Sequence, residues 1–210
     1  MLGIIDYKAG NLTSVKRALD YLGIACVISS DPGEIVACER IIFPGVGNAA
    51  SAMETLKRRG LDTALRTAFT RGTPILGICL GAQIILSHSE EGDTPCIGLI
   101  EGVCRKFTPG DRTLKVPHMG WNEISIVREH PVLKGTPKNT QVYFVHSFFP
   151  LPSEETAVFA TCEYGIVFPC AIGHKNLFAT QFHLEKSAGA GLAMLKNFST
   201  WEGALCSASV

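Results

Sequence analysis

Short apolar runs alternate with amphipathic ones through the first half of this 210-residue chain, and no other feature limits its fold so tightly. Residues 2–5 form an apolar run of strand length. Residues 12–22 then place Leu12, Val15, Leu19 and Leu22 on one helical face, with Asn11 as the cap and Gly23 as the stop. Residues 24–28 and 40–43 predict two more strands. Helices follow over about 49–59, closed by Gly60, and over 61–71. A strand at 74–78 and a helix at 80–88 complete this half. Strands that lie between helices and carry no polar face pair in parallel under helices on both sides. The second half reads differently. Residues 97–107, 122–127, 141–145, 157–163, 166–173 and 177–182 are strand-like and separated by turn residues, which predicts antiparallel additions. A last helix spans 187 to about 201. With no repeat, low-complexity tract or linker, the expectation is one α/β domain over residues 1–210: a central, mostly parallel sheet flanked by helices.

Composition removes several function classes. Hydrophobic residues make up 46% of the chain and charged ones 18%, so a sizeable core is available and disorder is excluded. The 19 basic and 19 acidic residues balance, and the one basic cluster, Lys57-Arg58-Arg59, is too small for a nucleic-acid face. The most apolar stretch, residues 75–86, is interrupted by two glycines and Gln83, which excludes a membrane helix. The N-terminus has no basic lead-in of the kind a signal peptide carries, so the expected setting is cytoplasmic. Eight cysteines (26, 38, 79, 96, 104, 162, 170 and 206) show no C-x-x-C spacing, so neither a metal site nor a disulfide framework is expected. No G-x-G-x-x-G or P-loop is present, and no cofactor is implied.

Cys79 stands apart from the other cysteines. Gly77-Ile78-Cys79-Leu80-Gly81 falls where a predicted strand meets a predicted helix, the G-x-nucleophile-x-G arrangement of a nucleophile elbow. Glycines on either side permit the tight turn, and the helix N-terminus favours thiolate over thiol. The N–H of Leu80 would then face the oxygen of a tetrahedral intermediate. The alternative is a buried cysteine in a packing turn. A thiolate needs a base and a group that orients the base. Phe182-His183-Leu184-Glu185 supplies both at the end of the last strand, where alternation would put His183 and Glu185 on one side if the extended backbone continues through Leu184. The Phe43-Pro44-Gly45-Val46-Gly47 segment follows another parallel strand, and its glycines let a backbone N–H turn toward the same place.

Taken together, these segments resemble the class I glutamine amidotransferases over essentially the whole chain. Residues 77–83 match that family's nucleophile motif. Gln181-Phe182-His183-Leu184-Glu185-Lys186-Ser187 resembles its His/Glu motif, with Leu184 where proline is usual. Three further segments narrow the resemblance to the branch that feeds a separate, barrel-shaped cyclase subunit in histidine biosynthesis. They are residues 6–12, with Lys8 where glycine is usual, residues 117–122 and residues 143–147. The resemblance implies hydrolysis of glutamine to glutamate and ammonia by a Cys79-His183-Glu185 triad. It further implies oxyanion N–H groups from Gly47 and Leu80, and substrate contacts from Gln83, Glu91, His146, Ser147 and Phe148. The cyclase would meet Asp6, Tyr7, Asn11, Trp121, Asn122, Tyr143 and His146. Competing readings are an amidotransferase subunit for vitamin B6, anthranilate or surface-sugar synthesis, a cysteine peptidase, and a non-catalytic interaction module of the same fold. The last expects a replaced triad member, and all three are present.

Overall fold

A computed structural model describes residues 1–8, 11–110 and 113–203. The expected alternation is present: β1 (Leu2–Ile5), α1 (Leu12–Tyr21), β2 (Cys26–Ser29), α2 (Pro32–Val36), β3 (Arg40–Gly45), α3 (Ala49–Arg59), α4 (Leu61–Thr70), β4 (Ile75–Cys79) and α5 (Leu80–Ile84). Two short strands, β5 (His88–Ser89) and β6 (Thr94–Pro95), lead to β7 (Gly102–Lys106), β8 (His118–Ile126), β9 (Gln141–His146), β10 (Phe148–Pro152), β11 (Val158–Glu163), β12 (Val167–His174), β13 (Leu177–Thr180) and α6 (Ala188–Thr200).

The main sheet runs β2-β1-β3-β4-β13-β12-β11-β8-β9. Its first four pairings are parallel and its last four antiparallel, so the sheet is evenly divided rather than mostly parallel. Side chains of neighbouring residues leave a strand on opposite faces, and the core divides accordingly. Ile4, Ile42, Leu76 and Ile78 join α1 and α6 on one face, through Val15, Leu19, Leu195 and Phe198. Ile5, Ile41, Phe43 and Ile75 join α2–α5 on the other, through Ile35, Met53, Leu56 and Leu65. A second, four-stranded sheet, β10-β7-β5-β6, flanks the first.

Several expected boundaries moved. The helix expected over 80–88 ends at Ile84, because the following turn is captured by another segment: Ile97 N–H donates to Ile84 O and Leu99 N–H to Ile85 O. The strand expected over 97–107 is confined to β7, since residues 96–100 spend their N–H groups on that same turn. Helix α2 was not anticipated, although Asp31 caps it by accepting from Glu34 N–H and Pro32 opens it. Strand β10 was also missed. Its two prolines disguise a strand that pairs with β7. Cys206 lies outside the described residues.

Candidate active site

Cys79 is the last residue of β4 and sits at φ 55°, ψ −108°, a conformation seldom taken by a residue with a side chain. The turn is possible because its neighbours lack side chains. A Cβ on Gly81 would stand 2.0 Å from Phe43 O, and one on Gly77 would stand 2.9 Å from the Ala179 Cβ. β3, β4 and β13 can therefore converge around the turn, leaving Cys79 6% exposed at the floor of a cavity of about 310 Å³. Gly47, Leu80, Gln83, Glu91, His146, Ser147 and Phe148 line the same cavity. Gly47 takes φ +104°, open to glycine and strained for other residues, and a Cβ there would meet nothing within 4 Å. Leu80 opens α5, so its N–H has no partner within the helix. Glu91 accepts from Ala49 N–H at 2.7 Å and so ties the wall of the cavity to the start of α3.

His183 Nδ1 and Glu185 Oε1 are 2.8 Å apart, and both side chains are buried. The pairing does not arise from strand alternation. β13 stops at Thr180, and residues Leu184–Lys186 form a 3-10 turn that brings Glu185 back under the imidazole. Tethers to β9 hold that turn: His183 N–H donates to Tyr143 O, Tyr143 N–H to Ser187 Oγ, and Ser187 Oγ–H to His183 O. Burial opposes the imidazolium, but Cys79 and Glu185 together outweigh it and raise His183 to about 9. The His183 Nε2 makes no hydrogen bond of strict geometry among the described residues, yet Cys79 acts on the ring both as a hydrogen-bond partner and as a charge. Such bonds often tighten only when substrate is present. The sulfur has two weak contacts. It donates to Val145 O at 3.9 Å and accepts from Gln181 Nε2 at 3.7 Å.

Among the described residues, no group of three or more His, Cys, Asp or Glu side chains is placed to hold a metal ion. The family described as glutamine amidotransferase class-I matches residues 3–200. The chain belongs to the class-I glutamine amidotransferase family. It is similar to the imidazole glycerol phosphate synthase subunit HisH of Nitratidesulfovibrio vulgaris (strain DSM 19637 / Miyazaki F), 52% identical over 94% of this chain and 95% of that one. The HisH subunit of Moorella thermoacetica is 47% identical, covering 94% and 93%. A solved structure described as a glutamine amidotransferase superposes with a TM-score of 0.73 at 17% identity, covering 94% of this chain and 96% of its own, and attests the fold.

The residues of this amidotransferase expected at a partner interface fall into two groups. Trp121 is 51% exposed, Asp6, Asn122 and Tyr143 are half-buried, and Met119 beside them is 63% exposed. Tyr7 and His146 are not on the surface. Tyr7 is 2% exposed and lies beneath Gly45, where a Cβ would stand 2.0 Å from its hydroxyl; His146 is buried in the cavity wall. Ala9 and Gly10 lie outside the described residues. Asn11 corrects the sequence reading in a more useful way. It precedes α1 at φ 65° without capping it, and its Nδ2–H donates instead to Glu185 Oε1. One carboxylate oxygen thus serves both His183 and Asn11, while Glu185 Oε2 has no partner among the described residues. Gln181 was passed over as part of a motif. The available signal was an amide beside Thr180 at the end of an apolar strand, because a buried amide must find partners.

Proposed function

We propose that this amidotransferase is the glutaminase subunit of an imidazole glycerol phosphate synthase. It hydrolyses L-glutamine to L-glutamate and ammonia, and the ammonia passes to a separate cyclase subunit that completes a heterodimer serving histidine biosynthesis. The observation that carries the reading is near-full-length identity of 52% to a subunit of that name, in a chain whose Cys79 lines a cavity and interacts with a His183 that is paired with Glu185.

In the proposed mechanism the Cys79 thiolate attacks the amide carbon of glutamine. The tetrahedral oxyanion takes hydrogen bonds from the N–H groups of Leu80 and Gly47. His183, held protonated by the thiolate and Glu185, gives its proton to the departing ammonia, and the thioester forms as the C–N bond breaks. His183 then takes a proton from water, which adds to the thioester and releases glutamate and the thiolate. Glu185 fixes the imidazole and offsets its charge. Gln83, Glu91, His146, Ser147 and Phe148 form the walls that hold the amino-acid end of glutamine. The exposed Met119 and Trp121, with Asp6 and Tyr143, form the face offered to the cyclase, whereas Asn122 alternates to the other side of β8, where its Nδ2–H donates to Glu163 O. A cytoplasmic setting fits this role, and no helix among the described residues is long and apolar enough to cross a membrane.

Cys79→Ser tests the proposal. Serine has no thiolate character at neutral pH, so glutamine-dependent synthesis by the complex should be abolished while ammonia-dependent synthesis survives. Near-normal glutaminase activity in the variant would remove Cys79 from the mechanism.

A further inference from the structure

Phe148 contributes its carbonyl to this region, and a carbonyl oxygen accepts hydrogen bonds without ever donating one. That one-way character sets the direction of a buried chain of side chains. Gln83 Nε2–H donates to Phe148 O at 2.9 Å, and the same nitrogen donates to Gln181 Oε1 at 3.0 Å. With its oxygen held there, Gln181 presents its own Nε2–H to Cys79 Sγ, 3.7 Å away. The other side of the carbonyl is directed in the same way. His146 Nδ1 is 2.9 Å from Phe148 O and so carries the ring proton, which leaves Nε2 to accept from His118 Nδ1–H at 2.9 Å. Burial lowers His118 to about 4 and His146 to about 3, so both rings are neutral near pH 7 and keep these tautomers. All four side chains are 5% exposed or less.

From this geometry we propose that Gln181 is a donor to the nucleophile: its carboxamide N–H stabilises the Cys79 thiolate, and Gln83 holds the amide in the one orientation that can do so. With the amide inverted, Oε1 would face the sulfur and oppose its negative charge. The donor acts inside a buried site, where a hydrogen bond to a charged acceptor is at its strongest. The proposal rests on Cys79 being the nucleophile. Cys79 acts electrostatically on His183, Tyr7 and Cys104, and substitution of Gln181 removes none of them.

The test is alkylation of the full chain by iodoacetamide across a pH series, with modification of Cys79 read by peptide mass spectrometry. Gln181→Met keeps the side-chain length and removes the donor, and Gln181→Glu replaces the donor with an acceptor. Both should move the Cys79 midpoint upward by about one pH unit, with about tenfold less alkylation below it. Gln83→Met should move it in the same direction by less, because the amide is then free to invert, and combining it with Gln181→Met should add nothing further. An unchanged midpoint in a folded Gln181 variant overturns the proposal. Should Gln181→Glu not fold, Gln181→Met and Gln83→Met carry the same decision. Failure of the underlying reading looks different: alkylation of Cys79 in the unsubstituted chain would leave glutamine hydrolysis by the complex intact.

Discussion

Asn11→Gly separates one hydrogen bond from everything around it. Asn11 lies at φ 65°, so alanine would add a backbone cost of about 1–2 kcal/mol. Glycine is at ease in that conformation. What glycine removes is the amide that donates to Glu185, a carboxylate whose side chain is fully buried and whose other oxygen has no partner among the described residues. Hydrogen bonds to charged groups contribute about 1.5–3 kcal/mol, and the isolated chain should lose about that much stability to urea unfolding. The catalytic effect follows from the same oxygen. With only His183 to hold it, Glu185 orients the imidazole less firmly, and each 1.4 kcal/mol lost at the transition state costs about tenfold in rate. We expect kcat for glutamine to fall about tenfold while KM changes little, measured with saturating cyclase so that any loss of partner affinity is masked. Asn11→Asp places a second carboxylate against the first and should be worse on both counts. If Asn11→Gly lost less than about 0.5 kcal/mol and kept kcat within about twofold, the amide would not be supporting Glu185 and the reasoning would fail.

His183→Asn should cost glutaminase activity at least as much as Glu185→Gln, because His183 moves the protons and contributes about 10²–10⁴-fold in its own right; a nearly silent His183→Asn would dismantle the triad. Stability should peak between two pH limits, followed by thermal unfolding. His183, raised from 6.5 to about 9, adds stability that is complete below pH 6.5 and is lost as pH climbs through 9. Burial lowers His118, His130 and His146 to about 4, 3 and 3, so each takes up a proton more readily unfolded than folded, and stability drains away as pH falls below 6.5. Lys8→Gly should stabilise the chain by about 1 kcal/mol in urea unfolding, since Lys8 occupies φ 67°; a loss of stability would mean that its side chain is needed. The isolated chain should hydrolyse glutamine slowly, with a gain of about 10²–10³-fold on adding cyclase and its nucleotide if partner contacts complete the oxyanion hole through Gly47; full activity alone would sink that coupling.

How much of this was legible in the sequence depended on how local the cause was. The elbow could be read because Gly77, Cys79 and Gly81 are neighbours in the chain, and the close approach of Phe43 O to Gly81 explains why glycine stands there. The parallel half could be read because its strands are apolar on both faces. Asn11 was misread because capping is a local expectation, whereas its actual partner, Glu185, is 174 residues away. His183 and Glu185 were rightly paired for the wrong reason, since the 3-10 turn that joins them depends on Ser187 and Tyr143. The network through His118, His146, Gln83 and Gln181 left almost no trace. Its members come from four separate segments, and only packing brings them together.

Strand β8 pairs with β9 from His118 to Glu123, so the residues of that hairpin point alternately to opposite sides. Met119, Trp121 and Glu123 share the exposed side, while His118 faces inward to His146. If the exposed side meets the cyclase as proposed, recognition and chemistry are interleaved at single-residue spacing on one stretch of backbone. A lineage acquiring a different cyclase, or an engineer grafting one, can rewrite every second position of β8 and leave the intervening ones alone. An insertion of one residue would exchange the two sets at a stroke, so the hairpin tolerates wide variation in side chains and almost none in length.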